Sequence, residues 1–183
     1  MSTLPDASWV FGYGSLMWNP GFPFMEQQPA VLEGYHRAFC IYSHHHRGSP
    51  DTPGLVLGLD AGGRCQGVAF HIAADDWAST VAYLDDRELV GDAYPYRPTV
   101  LEVTTPAGVR RAYTYVADRA HPNYAGALEP DAALSHILAA EGVGGTNRDY
   151  LINLVHQLED RGYVEDHLHR LLARAEAGPA AGN

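Results

Sequence analysis

The stretch that decides the fold reads Trp9-Val10-Phe11-Gly12-Tyr13-Gly14-Ser15-Leu16. A short run of β-forming residues leads directly into a turn that contains two glycines and a serine. Glycine permits unusual backbone dihedral angles and lets a ligand approach the main chain closely. Successive exposed N–H groups at such a turn bind anions, and the Ser15 hydroxyl adds a further donor. The stretch therefore predicts either a carboxylate-binding turn or an ordinary turn after a first strand.

The same turn does not fit two better-known kinds of site. Its G-x-G spacing lacks the third glycine of a dinucleotide-binding turn, and no P-loop lysine follows it. A role for Ser15 as the nucleophile of a Ser-His-Asp hydrolase is also unsupported, because Ser15 does not stand in a G-x-S-x-G turn. Nucleotide binding and serine hydrolysis are therefore disfavoured.

Outward from this stretch, strands come first in the chain and helices mostly last. Runs of β-forming residues predict strands at Trp9–Tyr13, Ala38–Tyr42, Leu55–Leu59, Cys65–Ile72, Thr99–Val103 and Val109–Val116, with a hairpin turn at 105–108. Helical periodicity is found at 132–140, at 151–158 and, beginning with Val164, at 164–172. One helix is embedded among the strands at about 75–88, with Asp75 or Asp76 as its N-cap. This order favours an α+β fold over a doubly wound sheet.

Length, charge and cysteine content restrict the protein class. The 183 residues suit a single domain over 1–183, with a core at about 9–173 and a flexible tail at 177–183. A net charge of −10 argues against nucleic acid or an anionic membrane as a partner. No apolar run approaches ~18 residues, and no signal peptide is recognisable. Cys40 and Cys65 are predicted to be buried free thiols, which indicates a reducing cytoplasm.

The embedded helix carries one carboxylate toward the core if it extends far enough. Its apolar residues Trp77, Val81 and Leu84 share one face, and Glu88 continues that stripe four residues later. Asp86 points away and is predicted to be solvated. A carboxyl group among apolar side chains has a raised pKa, which suits acid–base catalysis near neutral pH. Alternatively, the helix ends near Asp86, and Glu88 pairs with Arg87 or Arg97.

A histidine run, His44-His45-His46, raises the question of a metal site. Neighbouring side chains on a strand alternate, so only His44 and His46 share a face, with Asp51 as a further candidate ligand. The chain has no HExxH motif or cysteine ligand nearby. A solvated histidine run is therefore favoured, and no metal is predicted.

Six segments, in one order along the chain, resemble the ChaC family of γ-glutamylcyclotransferases. They are Val10–Trp18, His46-Arg47-Gly48 with Pro53-Gly54, Gly67-Val68-Ala69-Phe70, Tyr83-Leu84-Asp85-Asp86-Arg87-Glu88, His121-Pro122-Asn123-Tyr124-Ala125-Gly126 and Gly145-Thr146-Asn147-Arg148-Asp149-Tyr150-Leu151. The resemblance covers roughly Trp9 to Ala173. Around Glu88–Tyr94, with Gly91 before the tyrosine, the chain is more similar to bacterial members than to animal ones.

The resemblance implies a fold, an activity and a set of site residues. The fold is a small mixed β-barrel flanked by helices, and the activity is that of a cytoplasmic lyase of glutathione catabolism. Cyclisation of the γ-glutamyl group would release 5-oxoproline and Cys-Gly, with Glu88 as general acid and base. No cofactor or metal is needed, because the attacking amine belongs to the substrate. The expected substrate contacts are Val10, Phe11, Gly12, Tyr13, Gly14, Ser15, Leu16, Arg47, Tyr94 and Tyr150.

Several points stay open at this stage. The sequence does not decide whether Tyr94 or Tyr96 lines the pocket, and each tyrosine is equally compatible with a core or surface position. Arg47 suits a second substrate carboxylate through its bidentate fork, although a solvated arginine is the commoner case. Another γ-glutamyl peptide, a γ-glutamylamine or a non-catalytic binding role on the same fold are alternatives. The oligomeric state is not predicted.

Overall fold

A computed structural model describes residues 5–89 and 94–178 of the chain. Its elements, in chain order, are β1 (Trp9–Gly12), a short 3-10 helix (Ser15–Met17), β2 (Glu26–Ser43), β3 (Gly54–His71), α1 (Ala74–Glu88), β4 (Tyr96–Thr105), β5 (Gly108–Ala117), α2 (Pro130–Ala139), β6 (Glu141–Gly142), β7 (Gly145–Thr146), α3 (Asn147–Glu159) and α4 (Asp166–Ala177). Gly91 and residues 179–183 of the predicted tail lie outside the described residues. Within these residues, none of the helices has the length and apolarity needed to span a membrane.

Five strands form a closed barrel in the order β1-β3-β2-β4-β5. The first strand pairs antiparallel with β3 and parallel with β5, where Trp9 lies opposite Ala112. The pairs β2–β4 and β4–β5 are antiparallel. The barrel is therefore mixed, and the predicted α+β class with a small mixed barrel and helices is confirmed.

The barrel strands β2 and β3 are longer than the sequence pattern indicates. The runs Leu55–Leu59 and Cys65–Ile72, predicted as two strands, belong to the single strand β3. Residues 61–64, Ala-Gly-Gly-Arg, are typical of a loop because two glycines interrupt the run of β-forming residues. The strand nevertheless continues through them, with Gly62 and Gly63 at φ values of +101° and +72°, which only glycine adopts readily.

The described residues fall into two compact units. The first unit takes the described parts of Met1–Ala38 and Gly58–Tyr124. Its core consists of small, aliphatic and aromatic side chains from the strands: Trp9, Phe11, Ala30, Leu32, Leu59, Cys65, Ala69, Val103, Ala112 and Val116. The prediction of one domain over 1–183 stays a prediction.

Helix α1 belongs to the first unit and buries the predicted stripe. Trp77, Val81 and Leu84 are all buried, and Leu84 is fully so. The predicted N-cap is wrong, because the helix begins after Ala73 and no side chain caps it. Asp75 and Asp76 lie instead in the first turn, where carboxylates interact favourably with the helix dipole. The helix ends at Glu88, so the alternative of an end near Asp86 is not observed.

The second unit takes Phe39–Leu57 and the described part of Ala125–Asn183. Its three helices bury Ile137, Leu151, Leu154, Val155, Leu158, Leu168, Leu171 and Leu172. Val164, predicted to begin the last apolar stripe, is 71% exposed because it lies in the connection before α4. Cys40 in this unit and Cys65 in the first are buried thiols that form no disulfide within the described residues, which confirms that prediction.

Candidate active site

The glycine-rich turn follows β1 directly and leads into the 3-10 helix. Four of its seven predicted contact residues, Val10, Phe11, Gly12 and Leu16, are buried, whereas Tyr13 and Gly14 are half-buried and Ser15 is exposed. Neither Gly12 nor Gly14 has a positive φ. At position 12 the reason for glycine is steric and not conformational, since a Cβ there would lie 3.0 Å from the Leu16 Cβ.

The turn presents its backbone N–H groups at the start of the 3-10 helix. The Gly14 carbonyl accepts a hydrogen bond from the Met17 N–H at 3.0 Å, and the Ser15 carbonyl accepts one from the Asn19 N–H at 2.8 Å. The first N–H groups of a helical turn have no acceptor within that turn. The backbone N–H groups of Ser15 and Leu16 stand at this position, within the turn that the sequence predicts as a carboxylate-binding turn.

A fully buried arginine, Arg37 of β2, supports this turn from within the first unit. Its Nε donates to the Tyr13 carbonyl at 2.6 Å, and its Nη2 donates to the Gln66 carbonyl and contacts the Met17 sulfur at 3.9 Å. A buried guanidinium needs such acceptors, because burying an unpaired charge is costly. The turn is therefore held in place by a fixed positive group.

Glu88 occupies the last residue of α1, and its side chain is 24% exposed. Burial raises the pKa of this carboxyl group above its ordinary value, and the neighbouring Arg87 partly opposes that shift. The Arg87 Nε lies 3.5 Å from Glu88 Oε1. A carboxyl group in this state can take up and release a proton near neutral pH more readily than a solvated one.

Arg87 also contacts the glycine-rich turn. Its Nη2 donates to Ser15 Oγ at 2.7 Å, and its Nη1 donates to the Asn19 carbonyl at 3.0 Å. The same Nη1 donates to the Tyr83 hydroxyl at 3.1 Å. One guanidinium therefore links Glu88 to Ser15, two residues that are far apart in the sequence.

A second carboxylate on α1, that of Asp85, has a different environment. Its Oδ1 accepts hydrogen bonds from the Tyr113 hydroxyl at 2.7 Å and from the Tyr115 hydroxyl at 2.6 Å. Burial, together with Asp85, raises the pKa of both tyrosines. Both phenols therefore stay protonated and donate to Asp85, which fastens α1 to β5.

The remaining predicted contacts lie apart from these groups in the chain. Tyr94 is 37% exposed, and Tyr96 is the half-buried first residue of β4. In the second unit, the Arg47 guanidinium lies 5.3 Å from the centre of the Tyr150 ring, and its Nη1 donates to the Thr146 carbonyl at 3.3 Å. The Arg47 Nε is buried and has no hydrogen-bond partner among the described residues.

In the described parts of the chain, no group of three or more histidine, cysteine, aspartate or glutamate side chains is arranged to hold a metal ion. His44 and His46, the candidates from the sequence, are exposed on the second unit. Burial and the neighbouring Arg47 lower the pKa of His46.

Sequence reasoning missed two parts of this site. Arg37 precedes the apolar run Ala38–Tyr42, and a charge beside a buried strand is the signal that could have found it. Tyr113 and Tyr115 alternate along β5, so they share one face of the strand. Their common partner Asp85 could not be identified from spacing, because it lies 28 and 30 residues away in the sequence.

Known proteins resemble this chain over most of its length. The family model described as ChaC-like protein matches residues 8–177. A glutathione-specific γ-glutamylcyclotransferase of Escherichia coli strain K12 is 36% identical over 165 residues, which is 90% of this chain and 71% of the relative. Glutathione-specific γ-glutamylcyclotransferase 1 of Homo sapiens is 35% identical over 153 residues, which is 82% of this chain and 69% of the relative.

The fold also has a counterpart among solved structures. A crystal structure of a γ-glutamyl cyclotransferase specific to glutathione from yeast matches with a TM-score of 0.81 and covers 97% of this chain and 99% of that one. The sequence identity is 21%, so this match concerns the fold alone. With the family model and the sequence relatives, it leads to one conclusion: the chain belongs to the ChaC-like protein family.

Proposed function

We propose that this protein is a γ-glutamylcyclotransferase that acts on glutathione and releases 5-oxoproline and Cys-Gly. Its sequence relatives in Escherichia coli and Homo sapiens are named as glutathione-specific enzymes of this type. The observation that carries the proposal within the chain is the link that Arg87 makes between Ser15 and Glu88. It joins an anion-binding turn to a partly buried acid, which are the two parts that the reaction requires.

Substrate binding begins at the glycine-rich turn. The α-carboxylate of the γ-glutamyl group accepts hydrogen bonds from the backbone N–H groups of Ser15 and Leu16 and from the Ser15 hydroxyl. The buried charge of Arg37 adds a favourable potential at the turn. Arg47 and Tyr150 remain predicted substrate contacts.

Glu88 then moves the proton. It accepts a proton from the substrate ammonium, and the resulting amine attacks the γ-carbonyl carbon. A bond forms between the α-nitrogen and that carbon, and Glu88 returns its proton to the cysteine nitrogen as the amide bond to cysteine breaks. The α-nitrogen loses a second proton when it becomes the ring amide, and this proton passes to the released amine of Cys-Gly. Because the nucleophile is part of the substrate, correct orientation alone contributes ~7–11 kcal/mol. Acid–base catalysis adds about 10²–10⁴-fold.

The developing oxyanion needs a hydrogen-bond donor. Tyr113 and Tyr115 are unsuited, because both hydroxyl protons are already donated to Asp85. Backbone N–H groups at the glycine-rich turn and the Tyr83 hydroxyl, which accepts from Arg87, remain as donors. Two buried cysteines that keep their thiols unoxidised suit the reducing cytoplasm, where we place the enzyme.

The test is to assay 5-oxoproline formation with the wild type and with Glu88→Gln, which keeps the shape and removes the base. The substrate panel holds glutathione, a γ-glutamyl dipeptide without glycine and a γ-glutamylamine. We expect the wild type to favour glutathione and the folded variant to lose about 10²–10⁴-fold in kcat. Near-normal turnover by the variant would refute the role of Glu88. Binding of glutathione by the wild type without 5-oxoproline would show a binding domain instead.

A further inference from the structure

Arg87 makes more directed contacts than a surface arginine needs. Its guanidinium reaches an oxygen atom of each of four residues: Ser15 Oγ at 2.7 Å, the Asn19 carbonyl at 3.0 Å, the Tyr83 hydroxyl at 3.1 Å and Glu88 Oε1 at 3.5 Å. These oxygens come from the start of the 3-10 helix, from the segment after it and from α1 itself. Such a set fixes the plane of the guanidinium and the groups around it.

The hydrogen bond to Ser15 has a direction that limits what the serine can do. A guanidinium only donates, so the Ser15 oxygen is the acceptor in this contact. The single proton of the Ser15 hydroxyl must then be donated elsewhere. A hydroxyl that accepts from a charged donor becomes a stronger donor itself. Ser15 is exposed, and its proton is therefore available to an anionic group bound at the turn.

The contact with Glu88 has an electrostatic consequence. In residues 5–89 and 94–178, Arg87 is the charged group that acts on the Glu88 carboxyl. Burial raises the pKa of Glu88, and the positive charge of Arg87 limits that rise. Arg87 therefore helps to keep Glu88 deprotonated and ready to accept a proton at neutral pH.

We propose that Arg87 is a positioning residue of the cyclisation, which orients the Ser15 hydroxyl as a donor to the substrate carboxylate and holds Glu88 ready as the base. This inference rests on the proposed function. It assigns to one side chain two effects that are measured separately: one on substrate affinity through Ser15, and one on the pH dependence of the reaction through Glu88.

The experiment compares Arg87→Gln, Arg87→Lys, Ser15→Ala and the double variant Arg87→Gln/Ser15→Ala in the assay with glutathione. Because hydrogen bonds from charged groups are involved, we expect Arg87→Gln to lower kcat/KM by about 10- to 100-fold, with part of the loss in KM. Arg87→Gln should cost less in the Ser15→Ala background than alone, since the two residues act on one hydrogen bond. The acid limb of the pH profile should move to higher pH in Arg87→Gln.

Arg87→Lys keeps the charge but lacks the planar fork. Arg87→Lys should therefore keep the acid limb of the wild-type pH profile, because the charge beside Glu88 remains. It should lose the hydrogen bond that orients Ser15. If Arg87→Gln does not fold, Arg87→Lys replaces it in the experiment. The matched control is Arg64→Gln, since the Arg64 side chain is 62% exposed and lies 3.8 Å from Glu33. This control should leave kcat/KM and the pH profile unchanged.

Two failures are distinguishable. If Glu88→Gln keeps the wild-type rate, the proposed function of Glu88 is wrong, whatever Arg87 does. If Glu88→Gln is inactive but Arg87→Gln keeps the wild-type acid limb and its effect adds to that of Ser15→Ala, the positioning role is overturned.

Discussion

Two regions of α1, one turn apart, place a carboxylate in contrasting surroundings. Asp85 receives two hydrogen bonds from tyrosine hydroxyls on β5, at 2.7 and 2.6 Å. Glu88 Oε1 lies 3.5 Å from the Arg87 Nε, and burial raises the pKa of Glu88. Desolvation disfavours the charged form of a carboxyl group, which explains the raised pKa of Glu88. The comparison shows that the Asp85 carboxylate is held by two side chains of β5, whereas the Glu88 carboxyl, the proposed acid and base, receives no such pair of hydroxyl donors from the described residues.

After the loss expected for Glu88→Gln, the largest effect is expected when the Glu88 carboxyl group is displaced rather than removed. Glu88→Asp keeps the carboxyl group but withdraws it by one methylene group. We expect a decrease of about 100-fold in kcat, because a displacement of about 1 Å can cost that much. The assay measures 5-oxoproline formed from glutathione. Asp86→Glu, on the exposed side of the same helix, is the control, and full activity of Glu88→Asp would contradict the assigned role.

The next effect is on stability and concerns Asp85. Asp85→Asn replaces a charged acceptor of two hydroxyl groups by a neutral amide and should lower the free energy of unfolding by about 1–3 kcal/mol. Urea denaturation followed by circular dichroism measures it. Asp86→Asn should change that free energy by less than about 0.5 kcal/mol. The folded fraction of Asp85→Asn should keep its turnover, and a variant with normal stability but no activity would reverse the comparison.

A smaller effect on stability is expected when either of the two tyrosines that hydrogen-bond to Asp85 is replaced. Tyr115→Phe removes one of the two donors to Asp85 and should cost about 1 kcal/mol of unfolding free energy. Tyr113→Phe, in the same denaturation experiment, tests whether the two donors are equivalent. The double variant should lose more than either single variant. Equal losses in all three would show that the two donors act only as a pair, and no loss in one single variant would show that the other tyrosine alone holds Asp85.

The smallest effect is a pH dependence of stability. The pKa of Glu88 is raised in the folded state, so the folded protein binds more protons than the unfolded chain between the two pKa values. Stability therefore decreases as the pH rises from the unfolded pKa through the folded one. Glu88→Gln removes this contribution and should raise the melting temperature more at pH 7 than at pH 4. An increase that is the same at both pH values would contradict the desolvation of Glu88.

Much of the fold follows from local patterns. The apolar positions of α1, α3 and the body of α4 are buried where helical periodicity places them. The turn at 105–108 forms as composition indicates, with the Thr105 hydroxyl donating to the Gly108 carbonyl at 2.8 Å. The length of β3 was not predicted, because residues 61–64 contain two glycines and resemble a loop. The structure continues the strand through them, from Gly54 to His71.

The candidate site was predictable in part. Periodicity alone placed Glu88 on the buried stripe of α1, and composition alone singled out the turn around Ser15. The contact that joins them, through Arg87, spans 72 residues of sequence and has no local signature. Arg37 stands beside an apolar run, but its acceptors are backbone carbonyls, whose positions depend on the fold and not on the residue types around Arg37.

The parallel pairing of β1 with β5 has a consequence during protein synthesis. Trp9 lies opposite Ala112, so the first strand leaves the ribosome long before its last partner exists. At a translation rate of ~5–20 residues per second, the nascent chain waits roughly 5–20 s for this closure. Until then β1 offers an open edge to other chains. A nascent chain stalled before β5 should therefore depend on chaperones more than the finished protein does.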